Sequence, residues 1–205
     1  MSRSRTSNQA RTTVWESEDL ADHCQLIARQ VQKSLEDPET RKLAVKIAGH
    51  RPDSYINENG VAVPIVEAWG LQLYLPPVGA SPCAAQNDAC EVQAVWNFLV
   101  ANVRYVLDPD GYDLFCTLRR TLEAGAGDCD DATVAFGALL RALGFANVFA
   151  RVVSTDGKRW AHVYPVVALP KSGSIRRIVP LDITVAGSVP GWQFKGISHQ
   201  ADCKL

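Results

Sequence analysis

The sequence predicts an α+β fold, with helices as far as Leu143 and an antiparallel sheet after it. Two observations carry this. Apolar residues recur at three- and four-residue spacing in several segments before Leu143, as on one face of a helix. Beyond Gly144 the pattern changes to short β-branched runs separated by tight, glycine-bearing turns, and connections that short join antiparallel neighbours.

The elements follow in chain order. Residues 1–16 are rich in Ser, Thr, Arg, Asn and Gln with almost no apolar content, and are expected to be a disordered tail. A helix is predicted from Ser17, with Leu20, Cys24, Ile27, Val31 and Leu35 as its stripe and His23 at its surface. Asp37-Pro38-Glu39 restarts a helix, with Asp37 as cap and Pro38 in the first turn, running through Leu43, Ala44 and Ile47 to Gly49. Residues 50–85 hold the irregular sequences Asn57-Glu58-Asn59-Gly60 and Pro76-Pro77 and read as a connecting arm with a short strand near Leu71 to Leu75. Residues 17–85 are thus expected to form an N-terminal helical extension with its arm, and residues 86–205 the main domain. There an amphipathic helix is predicted from Asn87, with Val92, Val95, Trp96, Leu99 and Val103 on one face. It ends near Tyr105, before the turn Asp108-Pro109-Asp110-Gly111. A shorter helix spans Leu118 to Ala124. The next opens at Gly127-Asp128-Cys129-Asp130-Asp131, carries Ala132, Phe136, Leu139, Leu140 and Leu143 as its stripe, and stops at Gly144. Strands are expected over Val148 to Val153, Trp160 to Val167 and Ile175 to Ile183.

Composition narrows the function. Hydrophobic content of 47%, charged content of 21% and a net charge of −1 are globular values with no electrostatic footprint for nucleic acid or an anionic membrane. The arginines near the N-terminus precede no apolar run, so a secretory leader is not expected. Six cysteines this widely spread do not read as a disulfide scaffold, and reduced thiols in a cytoplasmic setting are expected. Cys83 and Cys90 then read as unpaired structural thiols, since a metal site needs more ligands nearby. No metal or other cofactor is expected.

The chemistry centres on Cys129. At a helix start its thiol feels the positive end of the dipole, which favours thiolate, while Asp128, Asp130 and Asp131 oppose ionisation unless they cap backbone. Asp128 or one of its neighbours is expected to cap the helix. In the second strand, alternation puts Trp160, His162, Tyr164 and Val166 on one face. Pairing with the third strand brings Asp182 toward the end that carries His162. A carboxylate on one imidazole nitrogen leaves the other free to take a thiol proton, which is the logic of a Cys129–His162–Asp182 triad.

Gly127-Asp128-Cys129-Asp130-Asp131, the helix ending Leu143-Gly144, Ala161-His162-Val163-Tyr164 and Leu181-Asp182-Ile183-Thr184 together resemble the core of the transglutaminase-like superfamily. The likeness runs from about Val92 to Trp192 and is nearest to small bacterial and phage- or prophage-encoded members. It implies a papain-like α+β core with the nucleophile helix packed on a small antiparallel sheet. The implied chemistry is acyl transfer through a thioester, with Cys129 as nucleophile, His162 as base and then acid, and Asp182 as orienting carboxylate. Tyr105, Trp96 and Asp128 are the candidates for holding the oxyanion or substrate, beside the Cys129 backbone N–H. The sequence lacks the additional β-domains of the large animal enzymes and the Trp that commonly follows their cysteine, Asp130 standing there. No helix–loop–helix calcium loop is visible, so neither calcium dependence nor cross-linking is implied. The expected partner is a protein or peptide substrate, in the cytoplasm or, for a phage-encoded protein, in the host cytoplasm or virion. The alternative is a non-catalytic interaction or assembly protein, phage-associated, that retains the fold.

Overall fold

The computed structural model describes residues 20–76, 83–84, 87–109 and 112–205. The expected tail, the helix start at Ser17, Pro77, and Asp110-Gly111 of the predicted turn lie outside these.

Two N-terminal helices, α1 (Leu20–Glu36) and α2 (Pro38–Ala48), form where the periodicity placed them. Asp37 separates them by accepting from the Glu39 amide at 2.9 Å, with Pro38 in the first turn of α2. Helix α3 (Asp88–Asn102) is capped by Asn87 and stops three residues short of the predicted end at Tyr105. The stop has a local cause. Arg104–Tyr105 extends as strand β4 and pairs in parallel with Ala126–Gly127, strand β5, which precedes the central helix. Between them, α4 (Leu118–Ala124) ends at Gly125 in a left-handed conformation, φ 59°, that suits glycine.

Helix α5 (Cys129–Ala142) is not striped as predicted: its residues from Cys129 to Leu140 are all buried. A helix buried on every side belongs in the middle of a core. On one side it meets Leu43, Ala44 and Ile47 of α2 and Val95, Phe98 and Leu99 of α3; on another, Ile27 and Val31 of α1. Gly137 permits the close crossing with α1, since a Cβ there would lie 2.9 Å from a Val31 methyl. The N-terminal helices are therefore part of the core that supports α5.

The opposite side of α5 packs on a four-stranded antiparallel sheet of β6 (Val148–Ser154), β7 (His162–Leu169), β8 (Arg177–Pro180) and β9 (His199–Lys204), in the order β8-β7-β6-β9. The three expected strands form the predicted meander. The fourth, β9, is polar and carried no strand signal. It is held at the edge by its ladder to β6 and by Arg151, whose guanidinium grips both Asp202 oxygens at 2.7 Å.

Two corrections concern the remainder. The arm over residues 50–85 contains a three-stranded antiparallel sheet, β1 (Asp53–Ile56), β2 (Ala62–Ala68) and β3 (Leu71–Tyr74), of which only the last was expected. Asn57-Glu58-Asn59-Gly60 is its hairpin turn, with the Asn57 side chain accepting from the amides of Asn59 and Val61. The second correction is to the thiols. Cys83 pairs with Cys90, and Cys24 of α1 with Cys203 of β9, as disulfides; Cys116 and Cys129 are free. Sequence distance concealed the second pair, whose members lie 179 residues apart.

Candidate active site

Cys129 is the first residue of α5, and the turn before it is built to expose backbone amides there. Asp128 accepts from the amides of Asp130 and Asp131, as the sequence predicted for a cap. Ala132 N–H bonds the Asp128 carbonyl. The Cys129 sulfur lies against two other amides, its own and that of Val163, both of which favour thiolate. Val163 follows His162 on β7, so the sulfur packs beside the residue that bears the imidazole.

His162 and Asp182 meet directly. Register places Val166 of β7 opposite Pro180 of β8, and the chain continuing past β8 carries Asp182 back alongside His162. The His162 Nε2–H donates to Asp182 Oδ2 at 2.8 Å. That bond fixes the tautomer and leaves Nδ1 as the basic nitrogen. Asp182 is 1% exposed. Burial acts to raise its carboxyl, but the hydrogen bond and charge of His162, joined by Thr184, outweigh this and hold it below the usual carboxylate range.

Thr184, which the sequence reading did not single out, completes the support. Its amide and hydroxyl both donate to Asp182 Oδ1, at 3.0 and 2.7 Å, and the Ser188 hydroxyl donates to the Asp182 carbonyl at 2.5 Å. An Asp followed two positions later by Thr is the local signal that could have found it, since that spacing forms a side-chain-to-backbone turn. Phe194, also missed, stacks 6.0 Å from the His162 ring, with Tyr164 at 5.7 Å on the same face. Trp160 does not share that face: it packs with the cluster holding Cys129 and Val163, because irregular backbone at Ala161 breaks the alternation before β7 begins.

A cleft of about 300 Å³ opens over the imidazole, lined by Tyr105, Val153, Ala161, His162, Thr184 and Phe194 among others. A smaller hollow is bounded by Tyr105, Thr184, Gly127 and Asp128, the last two being the residues before Cys129. Tyr105 lines both, placed by the β4–β5 pairing opposite Gly127. Partial burial, and then the nearby Asp128 and Asp182 carboxyls, raise its phenol above the ordinary tyrosine value, so it keeps a proton to donate. Trp96 is elsewhere. It packs on Phe136 at 5.9 Å in the main core and lines neither hollow, which removes it as a site candidate.

The thiol departs from the thiolate expectation. Cys129 is 7% exposed, and burial pushes its pKa well up, with Asp128 and Asp130 adding to the shift. Burial and the two carboxyls outweigh the amides and the helix start, so the resting thiol keeps its proton. The carboxylates are themselves abnormal. Burial raises Asp128, Asp130 and Asp131, the last to about 6. Cys116, the other free thiol, is pushed up to about 12 by burial and then by Asp131, which accepts from its amide at 2.8 Å. His23, expected at the surface, is instead half-buried, 3.1 Å from Asp113 and 5.8 Å from the Phe115 ring.

A family model, that of the transglutaminase-like superfamily, matches residues 80–176, a stretch that includes the start of α5 and the His162 end of β7. Over this stretch the chain is similar to that superfamily. No curated protein and no solved structure matches the chain. The matched segment contains Cys129 and His162 and ends before Asp182, the carboxylate that His162 reaches.

Proposed function

We propose that the protein is a thiol enzyme that transfers acyl groups from protein or peptide amides, with Cys129, His162 and Asp182 as its triad. The observation that carries this is the 2.8 Å bond from His162 Nε2 to buried Asp182, with the Cys129 sulfur against the amide of the residue next to that histidine. As substrate enters, His162 Nδ1 takes the thiol proton while sulfur attacks the carbonyl carbon. The C–S bond forms, the C–N bond breaks, and the imidazolium returns its proton to the leaving amine. The protonated resting thiol makes that proton transfer part of the attack rather than a step before it. Oxyanion donors are the Cys129 amide and, from the cleft wall, the Tyr105 hydroxyl. Asp128 serves as the helix cap. Water then releases an acid, or a second amine forms a new amide.

The test is incubation with a glutamine-containing peptide and a labelled primary amine. Ammonia release in the wild type, lost on Cys129→Ala and on His162→Ala, is the expected outcome. Label incorporated into peptide marks amine transfer; ammonia alone marks hydrolysis. A panel of peptides from which neither ammonia nor new amine is released, together with a Cys129 no more reactive to iodoacetamide than Cys116, would establish the non-catalytic reading.

A further inference from the structure

The cleft over the imidazole differs in kind from the hollow beside the nucleophile. Gly127 and Asp128, which lead into Cys129, line the smaller hollow; the cleft of about 300 Å³ is walled instead by His162 and by Val185 and Phe194 of the chain after β8. Tyr105 lines both and so stands at their junction. Among the described residues that line the cleft none is Asp, Glu, Lys or Arg, and its polar groups besides His162 and Tyr105 are the hydroxyls of Thr155 and Thr184.

Phe194 is a wall held in place. With Ile197 it packs against the buried residues Val153, Tyr164 and Val166, and Trp192 meets its ring edge-on at 6.1 Å. Its ring stands 6.0 Å from that of His162, tilted by 46°. An aromatic ring fixed by packing on one side and open to a cleft on the other is a preformed partner for a second ring. Val185 and Phe194 lie beyond residue 176, outside the matched segment, so the family likeness says nothing of this wall.

The direction of the chemistry decides what enters. On the acyl-transfer reading, on which this inference rests, the C–S bond forms at Cys129 as the C–N bond breaks, and the imidazolium gives its proton to the departing nitrogen. That nitrogen lies over the imidazole, so the residue attached to it extends into the cleft and not into the hollow. Apolar walls with two hydroxyls offer no counter-ion, and a charged side chain would lose its water there without compensation. The volume is at the small end for ligand sites, room for one residue rather than a folded surface.

We propose that this cleft is the leaving-group subsite, that it takes a large apolar residue, aromatic for preference, and that Phe194 determines this specificity. The substrate class is then a peptide with such a residue immediately after the amide that Cys129 attacks.

Binding is measured first, on full-length Cys129→Ala, by saturation-transfer NMR with three amines that mimic leaving groups: L-phenylalaninamide, glycinamide and the α-amide of L-glutamic acid. Phenylalaninamide should bind at least tenfold more tightly than the other two. Adding Phe194→Ala should remove most of that difference, with circular dichroism and melting point showing that the variant folds. Should it fold poorly, Val185→Asp replaces it and should make L-lysinamide bind more tightly than L-phenylalaninamide, because a carboxylate then stands in the wall. Turnover by the wild type of peptides differing only in the residue after the attacked amide is measured separately. Equal affinity for the three amines, or a preference untouched by Phe194→Ala in a folded protein or by Val185→Asp, would overturn the proposal whether or not any peptide is turned over. The aromatic preference in binding, with no turnover of any peptide, would instead strike the thiol-enzyme reading and leave the cleft as a binding site for aromatic amines.

Discussion

Asp182 is the residue on which the site's geometry turns, because it holds the imidazole from behind while Thr184 and Ser188 hold it in turn. Replacing it by asparagine keeps the shape but can stabilise the wrong tautomer. We expect Asp182→Asn to lower turnover about 10³- to 10⁴-fold, with substrate KM changed far less. The same substitution has a signature in stability. A carboxyl whose folded pKa lies below its unfolded value of about 3.9 contributes stability that is fully present above that value. That contribution is lost as pH falls through the folded value. Urea midpoints measured from pH 6 downward should therefore fall in the wild type below about pH 4, and fall less steeply in Asp182→Asn; parallel curves would remove the ionised pair from the account. At this scale the sequence was informative where motif and chemistry coincide. The approach of Asp182 to His162 was expected from strand pairing, and a cap at Asp128 or a neighbour from its place before a helix. Phe194 was not, because it reaches the site from a loop without periodicity, and Trp96 was misplaced because its face of α3 turns toward Phe136.

Among the elements, α5 decides the arrangement of the others, and Gly127 shows how closely its first turn is built. A Cβ at Gly127 would lie 2.6 Å from the Asp131 Cβ and 2.8 Å from its Oδ2. The glycine is thus required by a neighbour, and its backbone needs no left-handed conformation, unlike that of Gly125. Gly127→Ala must displace Asp131, which holds the Cys116 amide, or else the β4–β5 pairing that positions Tyr105. The expected cost is about 1–3 kcal/mol in chemical denaturation, with a larger proportional loss of turnover than of substrate affinity. Gly144→Ala, where nothing lies within 4 Å of the added carbon, tests the alternative that only backbone freedom matters. Helices were legible because their periodicity and caps are local. Strands β1 and β2 were hidden by Pro64 and by the hairpin's polar turn, which read as irregular chain. Strand β9 was hidden because an edge strand can be polar and still complete a ladder.

The molecule as a whole is closed by contacts between its two ends. Helix α1 packs beneath α5, Leu205 lies within 3.0 Å of the position a Gly137 Cβ would take, and Cys24 is bonded to Cys203 of β9. The order α+β was visible in the sequence; this closure was not, because no local pattern reports which distant cysteines meet. It bears on the expectation of reduced thiols in a cytoplasm, since bonds of this kind persist in oxidising compartments. Peptide mapping without reductant should find Cys24 linked to Cys203 and Cys83 to Cys90, with label entering Cys116 and Cys129 alone. Cross-linking residues 179 apart restricts the unfolded chain strongly, so Cys203→Ser should cost about 2–4 kcal/mol and lower the melting temperature by roughly 10 °C. The loss should be matched by adding reductant to a Cys83→Ser/Cys90→Ser variant, where the terminal bond is the one left to break. Six labelled cysteines in unreduced protein purified from an oxidising compartment would show that α1 and β9 are held together by packing without a covalent link.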